Sequence, residues 1–479
     1  MFLKNGFIIC LFSLISIQLH AQERWNLLRC INYAMKNNIA VRQAEIQTKL
    51  SALTLRQSKL SQYPSLTYAL NGGYNSGRNQ DPTTFNLITK GYLSSSMSLQ
   101  SGVALFNWFS KKNTIAADEL DVQASAAAVE KQRNDIALVV ANAYLQILLA
   151  KEQVRITESQ LHLSQSRLGN VRKLVNAGSL PELNAAEIEA QVATDSATVI
   201  GAKGNVDQNY LVLKSYMNID ATQPLEIEEP PIDQIPVEDL ADLQPAIVYA
   251  TALKNFPQQR YNELRVKSAQ KSTEAAKGAM RPTISMYGNL GSRYTNQAQN
   301  ISGVTYYTPS NAIGKVNVNG TMYDVLPAQP VPVYTFNKPS VLNQFSDNFN
   351  QSIGLSINVP IFNSSNLRTN FERSKINIEN IELQRLQDDQ KLKQDIYQAY
   401  NAAVVAKEKL NASKKSVETA LRSFDFASKR FNIGFLTTIE LVTIQNNLNT
   451  AKLQYALNQF DFVFKMKVLE YYKGEGLKL

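Results

Sequence analysis

Between residues 107 and 175 apolar side chains recur at seven-residue steps, at Ile115, Val122, Val129, Ile136, Ala143 and Ala150. The phase then slips by four to Val154, Leu161, Leu168 and Val175. This stretch has no proline and only Gly169, so the pattern predicts one continuous helix, which at 1.5 Å per residue would run about 100 Å. A second stretch does likewise at Phe371, Ile378, Leu392, Ala399 and Ala406, then, after the same slip, at Leu410, Val417, Phe424 and Phe431, with Arg385 alone out of phase. A four-residue stutter locally unwinds a left-handed coiled coil. The seam is therefore expected to change its supercoil part way along.

Elsewhere the period is two. Leu66, Tyr68, Leu70 and Tyr74 alternate with Ser65, Thr67, Ala69, Asn71 and Asn75, and a returning run sets Leu93, Met97, Leu99, Val103 and Leu105 against Ser94, Ser96, Ser98 and Gln100. The same parity returns in Ile284, Met286 and Leu290 opposite Thr283, Ser285 and Asn289. It returns again in Phe349, Ile353, Leu355, Ile357, Val359 and Ile361 opposite Asn350, Ser352, Ser356 and Asn358. Alternating segments of this length suit a barrel wall with an apolar lipid face and a polar lumen. A soluble β-sandwich is the other reading, but it has no use for helices of such length.

The resemblance between halves is a tandem repeat. A shift of 218 superposes Ala34, Lys36, Asn37, Glu45, Lys49, Lys59 and Pro64 on Ala252, Lys254, Asn255, Glu263, Lys267, Lys277 and Pro282. A shift of 256 superposes Leu99, Val103, Phe106, Asn107, Tyr144, Lys173, Asn176, Gly178 and Leu180 on Leu355, Val359, Phe362, Asn363, Tyr400, Lys429, Asn432, Gly434 and Leu436. The difference, 38 residues, is one insertion in a long loop over 291–348. Residues 22–217 thus form a first repeat of helix, two strands and two long helices, and 245–474 a second, with a short tail at 475–479. Between them 218–244, with eight acids, four prolines and no Lys or Arg, reads as an irregular connector. Each long helix ends near a glycine suited to a left-handed cap, Gly178 and Gly434.

Met1-Phe2-Leu3-Lys4, an apolar run to Leu19 and the small-residue site before Gln22 have the order of a secretory signal peptide over 1–21. A spanning anchor is the other reading, but the run is shorter than the ~20 residues required. Without Lys4 the formal charge of +9 becomes +8, spread among acids along helical segments, which gives no nucleic-acid footprint. After cleavage only Cys30 and His162 remain of their kinds. That leaves no intrachain disulfide, no metal-ligand spacing and no nucleophile–histidine pair, so neither a metal site nor a cofactor is expected and the chain does not read as an enzyme.

The segments AMKNN…YPSL and ALKNF…RPTI, ALFNW and PIFNS at strand-to-helix junctions, and RFNIGFLTTIELVTIQNNLNTAKLQY at the second turn together resemble the TolC family of outer-membrane efflux proteins. The resemblance covers nearly the whole chain after the signal segment. It implies a fold that is mainly α with a β-barrel contribution: four transmembrane β-strands per chain plus long coiled-coil helices, assembled as a homotrimeric barrel-tunnel. It further implies lipid-facing positions at Leu66, Tyr68, Leu99, Val103, Ile284, Met286, Ile353, Leu355 and Val359. Adaptor-docking tips are implied at Gly178, Leu180, Gly434 and Leu436, and a periplasmic constriction at Glu440, Thr443 and Asn184. Asn184 stands where the family often has a tip aspartate, Leu436 where it has a gate arginine, and Thr443 where it has a second acid, so an ionic latch is not expected.

The expected function is then an exit duct in the outer membrane of a Gram-negative bacterium, extending into the periplasm. It would serve a tripartite efflux pump or type I secretion system, with a periplasmic adaptor (membrane fusion protein), an inner-membrane transporter and outer-membrane lipid as partners. The alternative is a secreted coiled-coil scaffold or adhesin without a pore.

Overall fold

The computed structural model describes residues 24–80, 86–232, 235–308, 311–327 and 329–474. The signal segment and the 475–479 tail lie outside them. The first repeat contains α1 (Leu27–Asn37), α2 (Ile39–Leu60), β1 (Ser65–Asn75), β2 (Arg78–Gln80), β3 (Leu87–Thr89), β4 (Tyr92–Phe106), α3 (Ser110–Asn176) and α4 (Glu182–Met217). The second contains α5 (Pro245–Asn255), α6 (Pro257–Ala279), β5 (Thr283–Thr295), β6 (Asn300–Tyr307), β7 (Gly314–Val318), β8 (Thr321–Val325), β9 (Val331–Asn337), α7 (Val341–Asp347), β10 (Asn350–Asn358), α8 (Asn366–Asn432) and α9 (Thr438–Lys473).

The compact units are not the repeats. One unit consists of residues up to Thr54, Ala117–Gln270 and from Ile376 onward; the other consists of Leu55–Ala116 and Lys271–Lys375, so each draws on both halves.

The second unit holds an antiparallel sheet in the order β1-β4-β5-β10. The expected alternation continues across strands. Tyr68 pairs with Leu99 and Leu99 with Leu290, while Val103 pairs with Met286 and Met286 with Leu355. Rows of the opposite parity run Thr67, Gln100, Asn289, Ser352 and Asn71, Ser96, Arg293. A bulge between Ala104 and Phe106 brings Phe106, rather than Leu105, opposite Ile284. Val359 falls one residue beyond β10, because Pro360 follows it and cannot donate to a ladder.

The 291–348 segment is more ordered than a plain loop. β5 continues to Thr295, β6 pairs with β9, β7 pairs with β8, and α7 docks on β5 through Ser292 Oγ–H to the Phe345 carbonyl (2.7 Å). The dense turn residues conceal short β-branched and aromatic strands.

The helices α3 and α8 are each 67 residues and α4 and α9 each 36. The Asn37–Asn38 break has a local cause. Asn38 is extended, its Oδ1 accepts from Ala40 N (2.9 Å) to start α2, and its Nδ2 donates to the Tyr216 carbonyl (2.8 Å). The largest core packs α1, α3 and α4 together through Cys30, Ala34, Tyr144, Ile147, Leu213 and Met217. Burial pushes the Cys30 thiol up to about 12.

The acidic connector packs onto this unit rather than hanging free. Ile227 and Leu243 are buried, Trp25 and Ile227 form a parallel bridge, and Glu229 and Glu238 pair with Lys151 (2.6 Å) and Lys473 (2.8 Å). Glu226, Glu229 and Glu238 thus meet basic residues from outside the connector.

Candidate functional site

Two places carry the chemistry that the sequence singled out, the sheet and the helical turns. In the sheet, Leu66, Tyr68, Leu99, Val103, Ile284, Met286, Ile353 and Leu355 share one face by register. Leu66, Tyr68, Ile353 and Leu355 are well exposed there. The other face presents mainly Ser, Thr, Asn, Gln and Gly, with Arg293 in the row of Asn71 and Ser96, and with Tyr287, whose ring lies over Gly354 and leaves no room for a Cβ. β1 and β10 each keep one edge without a strand partner among the described residues. A monomer in water would leave both an apolar face and two edges uncovered.

The turns are built alike. Gly178 has φ +73°, with Ser179 N–H donating to the Leu174 carbonyl and Gly178 N–H to the Val175 carbonyl (both 2.9 Å), a Schellman cap. Gly434 has φ +80°, with Phe435 N–H donating to the Arg430 carbonyl at 2.9 Å. A side chain at either glycine would meet nothing within 4 Å, so backbone conformation alone calls for glycine. Pro181 is the cap residue before α4.

Leu180 and Leu436 are half-buried. Leu180 folds back onto the cluster of Val171, Ala185 and Ile188, against which Val442 of the other hairpin also packs. The apolar side chains most exposed at the turns are instead Leu183, Ile433, Phe435 and Ile439, at 65%, 68%, 72% and 60%.

Glu440 closes a capping box. Thr437 Oγ1 accepts from Glu440 N, while Glu440 Oε2 accepts from Thr437 N (2.9 Å) and from its hydroxyl (2.7 Å). The backbone hydrogen bond from Thr437, then its hydroxyl, hold this exposed carboxyl below its ordinary value. Thr443, one turn on, is exposed and donates to the Ile439 carbonyl (2.9 Å), so it shares a helix face with Glu440. Asn184 is half-buried on the first hairpin, its N–H on the Pro181 carbonyl at 3.2 Å.

A family profile described as "Outer membrane efflux protein" matches residues 30–218 and 248–462, the greater part of both repeats. The chain belongs to the outer membrane efflux protein family. It is similar to the outer membrane efflux protein BepC of Brucella suis biovar 1 (strain 1330), 20% identical over 434 residues that cover 90% of this chain and 81% of that one. Its fold is similar to that of CusC in crystals, with a TM-score of 0.73 at 16% identity over 93% of this chain and 91% of that chain. It is also similar to the CmeC outer membrane channel of Campylobacter jejuni, with a TM-score of 0.70 at 15% identity over 94% and 86%.

This efflux-family protein also holds a cluster that the sequence reading missed. Gln160, Ser164 and Arg167 of α3, Asp195 of α4, and Gln445 and Asn449 of α9 form one largely buried network. Gln160 Oε1 accepts from Gln445 Nε2 (2.8 Å), Gln160 Nε2 donates to Asp195 Oδ2 (3.2 Å), and Arg167 donates to Gln445 Oε1. It ties the two hairpins together. Its members lie up to 289 residues apart, so only the polar spacing Gln160, Ser164, Arg167 on one helix could have signalled it. Among the described residues no group of His, Cys, Asp and Glu is arranged to hold a metal ion, and no helix is long and apolar enough to cross a membrane.

Proposed function

We propose that this protein is the outer-membrane exit duct of a tripartite efflux pump or type I secretion system, working as a homotrimer. The observation that carries the reading is the four-stranded sheet with one apolar face, one polar face and two open edges. In lipid every backbone N–H and C=O must be paired, so only a closed barrel can span as sheet. Four strands are too few, since the smallest bacterial barrels have ~8. Joining β10 of one copy to β1 of the next around three copies closes the sheet with a lumen that eight strands would fill with side chains.

In this assembly Leu66, Tyr68, Leu99, Val103, Ile284, Met286, Ile353, Leu355 and Val359 face lipid. The turns around Gly178, Leu180, Gly434 and Leu436 meet a periplasmic adaptor, with Leu183, Ile433, Phe435 and Ile439 as the apolar contact. Glu440 rings the constriction with Thr443 and Asn184, offering Oε1 to the axis while Oε2 serves the cap. Transport energy comes from an inner-membrane transporter.

Native mass spectrometry in detergent and planar-bilayer recording test the reading. A trimer with steady ohmic conductance is expected. A stable monomer, or a trimer that is electrically silent, would favour a pore-less scaffold.

A further inference from the structure

The four wall strands β1, β4, β5 and β10 contain a single charged residue, Arg293. It lies on the polar face, opposite Ser96 and in one cross-strand row with Asn71. The neighbouring rows on that face are Gly73, Ser94, Thr295 and Ala69, Ser98, Gly291, and none of these positions is a carboxylate. Its side chain is exposed, and its guanidinium has no hydrogen-bond or ion-pair partner among the described residues. With Asn71, Ser94 and Ser96 it lines a cleft of about 660 Å³. The position matching Arg293 at the shift of 218 is Asn75, so each chain supplies one such charge and not two.

An unpaired guanidinium needs water, and in a membrane wall water lies only on the lumen side. It is also the side chain that best recognises carboxylate and phosphate, through two parallel N–H donors. Within a low-dielectric wall a charge of one sign focuses its field into the aqueous path.

We propose that Arg293 of three copies forms a cationic ring inside the barrel that favours passage of solutes bearing carboxylate, phosphate or sulfate groups over cations. This rests on the exit-duct reading. The ring acts at physiological salt, where the Debye length is about 8 Å, and is largely screened at molar salt, where it is about 3 Å.

Reversal potentials across a KCl gradient provide the test, on wild type, Arg293→Gln, Arg293→Glu and Arg293→Lys. A local potential near kT/e enriches anions about threefold and depletes cations about threefold, so the anion-to-cation permeability ratio should fall about sevenfold in Arg293→Gln. It should fall further in Arg293→Glu, stay near wild type in Arg293→Lys, and converge for all four at molar salt. Arg293→Cys gives an independent reading, since Cys30 is fully buried and should stay silent. A trimethylammonium methanethiosulfonate should restore wild-type selectivity there, and a sulfonate reagent should shift it toward cations.

Conducting channels with an unchanged ratio in Arg293→Gln and Arg293→Glu would overturn the proposal, as would an Arg293→Cys channel that reacts with neither reagent. Should the Gln and Glu variants fail to assemble, the cysteine arm decides alone. Wild-type protein without conductance would sink the duct reading instead, which separates the two failures.

Discussion

Trp108 and Ser364, 256 residues apart and unlike in chemistry, share a left-handed backbone, with φ 50° and 56°. Phe109 and Ser365 follow at 62° and 60°, and each pair succeeds a Phe-Asn step, Phe106-Asn107 and Phe362-Asn363, at the passage from strand to long helix. A left-handed non-glycine residue costs about 1–2 kcal/mol, so this conformation is imposed by the junction and not by the residues in it. Ser364→Gly should therefore raise stability by about 0.5–1 kcal/mol, and Ser364→Val should lower it by about 1–2 kcal/mol. Thermal unfolding in detergent should rank Gly above Ser above Val; a flat series would mean that the junction relaxes freely.

Gly278 faces the first of these junctions. A Cβ there would stand 2.8 Å from the Trp108 carbonyl oxygen and 3.1 Å from Ser110 Cα, both backbone. Gly→Ala in a helix ordinarily gains about 1 kcal/mol. Here forced displacement of backbone should outweigh that gain, for a net loss of about 1–2 kcal/mol. Denaturant midpoints of Gly278→Ala and of the exposed control Gly201→Ala should move in opposite directions.

At the turns, exposure separates docking from packing. Phe435→Asp and Leu183→Asp should abolish cross-linking to the adaptor while trimer yield stays at wild type. Leu180→Asp, which sends a charge among Val171, Ala185 and Ile188, should lower stability by about 2 kcal/mol or more. If Phe435→Asp and Leu183→Asp leave capture intact, the adaptor does not read this apolar surface.

The capping box gives the start of α9 a pH dependence of known sign. Because Thr437 holds the Glu440 carboxyl below its ordinary value, the stabilisation is complete above the ordinary carboxylate range and is lost as pH falls through the depressed pKa. Glu440→Gln keeps the reciprocal hydrogen bonds without the charge and should flatten this dependence. Thr437→Ala should cost about 1 kcal/mol at neutral pH. Hydrogen exchange in the first turn of α9, followed from neutral to acid pH, measures both. Glu440→Gln also tests the proposed constriction, since it removes the carboxylate charge and leaves the cap; unaltered ion selectivity in its channels would remove Glu440 from that role.

Lys467 and Glu470 form a buried pair at 2.7 Å, with Glu470 Oε1 also accepting from Glu238 N–H at 3.0 Å. Lys467→Met strands a buried carboxylate and should cost about 3–5 kcal/mol. Lys467→Met combined with Glu470→Gln removes both charges yet retains an acceptor for Glu238, so it should be less harmful than the single change. Urea midpoints of the two variants decide, and equal losses would deny the pair its coupling.

Periodicity made much of this architecture legible. The heptad runs delimit α3 and α8 within a few residues, and the two-residue alternation marks all four wall strands, because one buried or lipid-facing side imposes a fixed period. The second loop was harder. Asn319-Gly320, both with positive φ, turns β7 into β8 and is a hairpin signal, but so many Gly, Asn, Pro and Ser surround it that the short strands were hidden. At the turns the sequence located the glycines, but not which leucines fold inward. That depends on the packing of Leu180 against the cluster of Val171, Ala185 and Ile188, which neither propensity nor spacing encodes.

The matched lengths of α3 with α8 and of α4 with α9 make length a coupled character of this chain. Losing one heptad from α3 alone would withdraw its turn by about 10.5 Å, at 1.5 Å per residue, while the turn after α8 stayed in place. Anything that grips both turns would then find one out of reach. A duct of this kind can be lengthened or shortened only by two simultaneous edits some 256 residues apart, so tandem duplication has given the chain two rulers that must always agree.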